Sequence, residues 1–195
     1  MEVIVIGGGA AGLFCAGFIA DAHKVTIIEH SDICGKKLLI TGKGRCNVTN
    51  DSDEETILKN IRTNPKFMFS SIYQFPPAKV MEFFESRGVP LKTERGRRVF
   101  PVSDKAMDIK KALEKHCKNA KILYDDVEKL IIEDGAAQGV VLKSGKQLYA
   151  DKVIVATGGM SYKQTGSTGD GYRFARQAGH TVVTPTASLV PYYNG

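Results

Sequence analysis

Met1-Glu2-Val3-Ile4-Val5-Ile6-Gly7-Gly8-Gly9-Ala10-Ala11-Gly12 opens the chain. A short apolar run passes directly into glycines spaced Gly-x-Gly-x-x-Gly, and Leu13 to Ala22 then reads as a helix. Val25-Thr26-Ile27-Ile28 reads as a second buried strand, closed by Glu29. Strand, glycine turn, helix, strand and acid form the context in which this spacing signals a dinucleotide site. Gly7 permits the tight turn, Gly9 lets the backbone approach a pyrophosphate, and Gly12 lets the helix pack closely on the sheet. The helix start, with Ala10 and Ala11, offers unpaired N–H groups and a positive dipole end to the phosphates. Glu29 lies roughly 20 residues beyond the turn, where a carboxylate accepts from ribose hydroxyls. Its charge opposes a 2′-phosphate, so NADP is disfavoured at this position.

Working outward, Thr41-Gly42-Lys43-Gly44-Arg45-Cys46-Asn47-Val48-Thr49-Asn50 resembles nothing else in the chain. Two glycines one residue apart free the backbone for unusual dihedrals. The remaining residues supply donors and acceptors without apolar periodicity, as a loop wrapping a polar, planar ligand would. Lys36, Lys37 and Arg45 suit a phosphate or another negative locus; a solvated basic turn is the plainer alternative. Cys46 has no partner cysteine nearby in sequence, which favours a packing or backbone role over redox chemistry.

From there to about residue 120 the pattern is mainly helical. Ser52 or Asp53 is placed to cap a helix toward Ile61. Phe67, Met68, Phe69, Ile72, Tyr73 and Phe75 are helix-spaced and are expected in the core. Pro76-Pro77 breaks that helix, Lys79 to Arg87 forms the next, and Gly88 ends it. Arg95, Arg97 and Arg98 form the densest basic cluster, either a charged hairpin tip or a wall of the site. Ser103-Asp104 is expected to cap a helix from Lys105 to about Lys118, amphipathic through Met107, Ile109, Leu113 and Cys117.

Ile122-Leu123-Tyr124 reads as the third parallel strand, with Val127 in the turn beyond it. Three short alternating strands follow, Lys129–Glu133, Gln138–Lys143 and Lys146–Tyr149, joined at Asp134-Gly135 and Ser144-Gly145. Asp151 to Ala156 returns as a buried strand ending in a second glycine turn, Thr157-Gly158-Gly159. Asp170 begins a helix through Tyr172 to Ala178, as a plain N-cap or as a cofactor contact. Val182 to Val190 reads as an exit strand. These elements predict an α/β chain: a Rossmann-like domain over 1–195 with a parallel central sheet, a small antiparallel β-meander, and a mainly helical excursion over 50–120.

Composition narrows the class. The 195 residues are 43% hydrophobic and 25% charged, an ordinary globular mixture. Net charge is +6, with a pI near 9.1. No dense Lys/Arg block with interleaved aromatics occurs, so nucleic acid is not the expected partner. The excess suits an anionic cofactor equally well. Cys15, Cys34, Cys46 and Cys117 show neither CxxC pairing nor metal-ligand spacing, and point to a reducing cytoplasm. The opening apolar run is too short for a signal peptide, and no stretch approaches a membrane span.

Gly7 to Gly12, Gly35 to Asn50, Arg97-Arg98-Val99-Phe100-Pro101, Ala156-Thr157-Gly158-Gly159 and Thr165 to Tyr172 together resemble the bacterial aminoacetone-oxidase-like family. The last two are more distantly similar to fumarate reductase and ketosteroid dehydrogenase flavoproteins. The resemblance implies an FAD-dependent oxidoreductase that takes NAD(P)H as donor and acts on a small molecule. By it, Glu29 holds the adenosine ribose, Gly7 to Gly12 the pyrophosphate, and the Val127 backbone the adenine. Lys36 and Lys37 lie near the ribityl chain or phosphates. Thr41, Gly44, Arg45, Cys46 and Asn47 approach the isoalloxazine, and Thr157 and Gly158 close the pocket. No catalytic residue and no metal ligand is assigned. Family members are about twice as long, with a substrate domain inserted after the exit strand and a final segment completing the FAD site. The chain, ending at Tyr192-Tyr193-Asn194-Gly195, is therefore expected to lack that C-terminal half. An NAD-binding dehydrogenase domain without flavin, or a flavin-fold RNA-binding module, is the alternative.

Overall fold

A computed structural model describes residues 1–186 of the chain. β1 (Glu2–Ile6), α1 (Ala10–Ile19) and β2 (Lys24–Glu29) form the opening unit. A looping 3₁₀ segment, Leu38–Gly44, leads to β3 (Thr49–Asn50), α2 (Glu54–Asn60), α3 (Pro65–Gln74) and α4 (Pro77–Glu85). β4 (Leu91–Glu94), β5 (Arg98–Pro101), α5 (Ala106–His116) and β6 (Lys121–Tyr124) follow. β7 (Val127–Glu133), β8 (Ala136–Leu142) and β9 (Gln147–Tyr149) precede β10 (Lys152–Val155) and α6 (Asp170–Gln177).

The central sheet has the order β10-β1-β2-β6, and all its pairs are parallel. The inner strands β1 and β2 carry runs of buried apolar residues without strict alternation, as a sheet covered on both faces requires. The edge strands β6 and β10 are only partly buried, so the return over Asp151 to Ala156 pairs as expected but is not the buried strand expected. In β1, Val3 and Val5 pack with Leu13, Ile27, Ile109 and Leu113 on one face. Ile4 and Ile6 pack with Ile28, Val140, Leu142 and Phe174 on the other. The first face is closed by helices; the second by the β7-β8-β9 meander and α6, which stand where a crossover helix would run. A separate antiparallel sheet, β3-β5-β4, lies within the excursion.

The helix of the opening unit starts at Ala10, three residues before its expected start, because the glycine turn itself supplies the first turn. Two glycines there are dictated by space. A Cβ on Gly7, whose φ is +106°, would stand 2.5 Å from the Ala156 carbonyl oxygen. A Cβ on Gly12 would stand 1.8 Å from the Gly7 carbonyl oxygen.

Several expectations are corrected by the structure. Of the helix-spaced set, Phe75, just past α3, packs partly buried against the core, but no α3 side chain is buried and Phe67 is 79% exposed, so the rest of that face is not core. Asp104 does not cap α5: it adopts φ +55° and turns to Lys92 (2.7 Å) and Arg45 (3.4 Å). Ser103 instead accepts from the Lys105 N–H at 3.3 Å and donates to Asp108 at 2.6 Å. Asp53 does cap α2, accepting from the Thr56 N–H at 2.7 Å. The arginine cluster is a hairpin tip, with Glu94 paired to Arg98 across the turn. Residues 182–186 form no strand, and the rest of the expected exit strand, 187–190, lies outside the described residues with the terminal 191–195. Among the described residues, no helix is long and apolar enough to cross a membrane.

His116 closes the helical layer. Its ring lies 4.9 Å from that of Phe83 and 4.8 Å from that of Phe18, and Nδ1 is 3.3 Å from Arg87 Nη2. Burial, then the Arg87 charge, holds this imidazole below its usual value of 6.5. The folded state thus takes up this proton less readily than the unfolded chain. Its contribution to stability is complete above about pH 6.5 and is lost as pH falls below that value.

Two measurements check this packing. Gly12→Ala should destabilise the fold by about 3 kcal/mol in urea titration, whereas Gly9→Ala, with nothing within 4 Å of its Cβ, should change stability by less than about 0.5 kcal/mol. The melting temperature should fall on acidification below pH 6.5, and His116→Phe should flatten that fall.

Candidate functional site

The chain leaves β1 toward β2 on one side and returns from β6 to β10 on the other. The strand order therefore reverses beside β1, and ligands of open α/β sheets bind outside the carboxyl ends of the strands at such a point. A crevice of about 390 Å³ lies there, bounded by Gly7, Gly9, Glu29, Lys37, Thr157 and Ser167 among others.

Each wall has a local cause. The start of α1 has no side-chain cap and no acid in its first turn, so its leading N–H groups remain available. A Cβ on Gly9 would meet nothing within 4 Å, so the turn faces open space where it borders the crevice. Glu29 is 6% exposed. One of its carboxylate oxygens accepts from the Gly8 N–H and the other from the Ser31 N–H, each at 2.7 Å. His30 Nδ1 also lies 3.4 Å from Oε1, and the lone-pair directions that these groups leave are open to other donors.

Lys36 reaches Asp32 at 3.2 Å, while Lys37 donates to the Ser161 carbonyl at 3.0 Å and to Ser167 Oγ. Lys37 thereby ties the segment after β10 to the segment after β2 across the crevice. Thr157 Oγ1 is buried without a hydrogen-bond partner. An orphaned hydroxyl on the wall of a crevice is suited to a ligand atom. Among the described residues, no group of three or more His, Cys, Asp or Glu could hold a metal ion.

The loop after β2 is held from behind. Gly42, Lys43, Gly44 and Cys46 have φ of +56°, +59°, +84° and +62°. For Lys43 and Cys46 this conformation is strained and must be held by its surroundings. The Cys46 N–H donates to the Thr41 carbonyl at 3.0 Å, and the Thr41 hydroxyl to Leu38 O at 2.9 Å. Arg45 stacks 4.1 Å over Phe100 and donates to Glu94 at 2.8 Å. With its side-chain amide turned end for end, Asn47 donates to the carbonyls of Thr49 (3.0 Å) and Val99 (3.2 Å). Burial raises the Cys46 thiol. It raises Cys34, beside the negative Glu29, to about 11, so neither is a thiolate at neutral pH.

Of the residues singled out from sequence, Gly7, Gly9, Ala10, Ala11, Glu29, Lys36, Lys37, Thr41, Thr157 and Gly158 border the crevice. Gly12 lies behind it, in the helix. Cys46 and Asn47 border an adjoining cavity that shares Thr41. Gly44 and Arg45 border neither, and the Arg45 guanidinium points to the β4–β5 hairpin. Val127 begins β7 instead of lying in a turn. It borders a separate recess of about 20 Å³, and its carbonyl accepts from Arg173 Nη2 at 3.2 Å. Asp170 is the first residue of α6, paired with Arg173 at 2.9 Å, and borders that same recess. Sequence reasoning missed His30, Ser31, Gly35 and Gly166 on the crevice. It also missed Ser167, 3% exposed, whose serine within a Gly-Ser-Thr-Gly turn was the available signal.

Known proteins share this architecture. The chain is 35% identical over 190 residues to 3-dehydro-bile acid delta(4,6)-reductase of Clostridium scindens, covering 95% of this chain and 46% of that protein. It is 34% identical over 198 residues to ribosomal RNA dihydrouridine synthase of Haemophilus influenzae, covering 98% and 48%. The chain thus spans about half the length of these relatives. Among solved structures, L-proline dehydrogenase from P. horikoshii aligns with a TM-score of 0.60 at 17% identity, over 94% of this chain and 57% of that one. THI4 of Thermovibrio ammonificans gives 0.55 at 16%, over 92% and 63%. At those identities the likeness speaks for the fold. Sequence carries the assignment further: residues 1–192 match the family described as HI0933-like protein Rossmann domain, and the chain belongs to that family.

Proposed function

We propose that the chain is the FAD-binding half of a cytosolic, aminoacetone-oxidase-like flavin oxidoreductase. Such a protein moves hydride from a reduced nicotinamide, through FAD, to a small-molecule acceptor. The observation that carries this reading is convergence on one crevice: the uncapped start of α1, the open face of Gly9 and the buried Glu29 carboxylate. Bound FAD supplies the electron transfer, and the protein supplies binding, orientation and local charge.

In this reading the free lone pairs of Glu29 accept from the adenosine ribose hydroxyls, and the Gly7–Gly12 turn takes the pyrophosphate. Lys36 and Lys37 neutralise phosphate or line the ribityl chain, and Thr157 offers its unpartnered hydroxyl beside Gly158. Thr41 and the Gly44–Asn47 backbone meet the isoalloxazine, with Arg45 acting from behind through Glu94. Adenine at Val127 requires the 20 Å³ recess to open, since the His30 ring stands against Gly166 there. The substrate domain and final FAD segment are assigned to the part of the relatives that this chain does not span. A second reading takes an RNA uridine as acceptor. It draws on the 34% identity to a protein named as a ribosomal RNA dihydrouridine synthase.

FAD titration followed by flavin absorbance and fluorescence tests the first reading. Wild type should bind FAD saturably. Gly9→Val, which projects a side chain into the open face, should weaken binding at least tenfold, about 1.4 kcal/mol, with the melting temperature unchanged. A wild type without FAD affinity, or a Gly9→Val variant that binds equally well, would contradict it.

A further inference from the structure

The strained loop after β2 rests on the hairpin behind it. Lys43 and Cys46 hold positive φ at a cost that their surroundings must offset. A Cβ on Gly42 would stand 3.0 Å from Phe100 Cε1, and the Arg45 guanidinium lies 4.1 Å over the same ring. Lys92 is directly opposite Phe100 in the β4–β5 pair, and Glu94 is opposite Arg98. Opposed residues of an antiparallel pair share a face, as do residues two apart along one strand. Lys92 and Glu94 therefore stand on the face that meets the loop.

Four charges close into a ring there. Arg45 donates to Glu94 at 2.8 Å and lies 3.4 Å from Asp104. Lys92 donates to Asp104 at 2.7 Å and lies 3.6 Å from Glu94. The signs alternate, so each group faces two opposite charges. The side chains are 28% to 44% exposed. A lone pair that open to water contributes little, whereas charges held in a network contribute more. The bond from Lys92 holds the Asp104 carboxyl below its usual range, and the bonds to Glu94 and Asp104 hold Arg45 and Lys92 above theirs.

The ring gathers three segments that are distant in sequence: the loop, β4 and the turn into α5. Asp104 stands at φ +55° to reach it, a conformation that Asp tolerates better than most residues. Within the loop itself, the Arg45 N–H donates to Gly42 O at 3.3 Å and the Cys46 N–H to Thr41 O at 3.0 Å. Lys92 and Asp104 border neither the crevice nor the adjoining cavity, so they act on the site only through Arg45 and Glu94.

We propose that Lys92 and Asp104 are positioning residues: with Glu94 and Arg45 they close a ring of alternating charge that locks the 41–47 loop, and through it the isoalloxazine end of the cofactor site. The inference rests on the reading in which that loop meets the isoalloxazine.

Amide hydrogen exchange and FAD titration of the chain test it together. Asp104→Asn keeps the tolerance of positive φ, and Lys92→Met keeps the apolar stem, so each removes one charge and little else. Each should speed exchange of the Cys46 amide roughly tenfold and leave the amides of β1 and β2 unchanged. Each should also weaken FAD about fivefold and displace the absorbance bands of the bound flavin. Lys92→Arg, which keeps the charge, should match wild type in all of these. Lys92→Asp combined with Asp104→Lys retains that pair but sets like charges against Glu94 and Arg45. It should behave as the single losses do, whereas an isolated pair would regain wild-type behaviour.

A Cys46 amide indifferent to both single losses, or a wild-type double variant, would overturn the proposal. So would exchange that rises throughout β1 and β2, since the ring would then be a general stabiliser. Faster loop exchange with FAD affinity and flavin spectrum unchanged would overturn the positioning role. A wild type that never binds FAD, with loop exchange still responding as expected, would remove the cofactor reading and leave the lock standing, so the two failures are distinct.

Discussion

A buried carboxylate bridging two strand ends is the contact on which the site depends. Glu29 sits at the last position of β2 and accepts from the Gly8 N–H in the turn after β1, and from Ser31 in its own loop. Charge-assisted bonds of this kind are stronger than neutral ones. Here they fix the glycine turn against the neighbouring strand, so that the start of α1 is aimed and the carboxylate's remaining lone pairs are held in place. Without that acid the turn would have no partner for Gly8, and the crevice would lose both its geometry and its recognition group. One side chain thus serves packing and binding together.

The close approaches around it follow the same logic. Gly7 and Gly12 are required by neighbouring backbone oxygens, whereas Gly9 is left open. Only the last has spare room, and it borders the crevice. Lys37 adds a cross-strap, reaching the segment after β10. The loop after β2 carries strained residues whose conformations are held by Arg45, Asn47 and their partners on the β3-β5-β4 sheet. The scaffold therefore borders two adjoining cavities, with Thr41 on the boundary of each.

Much of this was legible from residue order because the signals are local. Gly-x-Gly-x-x-Gly between apolar runs gives β1-α1-β2, and Asp134-Gly135 and Ser144-Gly145 give the meander turns. Asp53 announces its helix. What could not be read was set by distant partners. Arg45 looks like an anion contact until Glu94 and Asp104, 49 and 59 positions later, are brought beside it. Asp104 looks like a cap until Lys92 arrives. The α3 aromatics have helical spacing, but periodicity defines a face without saying what covers it, and within this structure they stay exposed. Val127 depends on how β7 meets α6, through Arg173, which no sequence pattern encodes.

The most direct measurement is a crystal structure of the chain grown with FAD. The account predicts the adenosine ribose hydroxyls within hydrogen-bond distance of the Glu29 carboxylate and the pyrophosphate against Gly9 to Ala11. A dinucleotide bound with its ribose away from Glu29, or with its phosphates elsewhere than the start of α1, would contradict it.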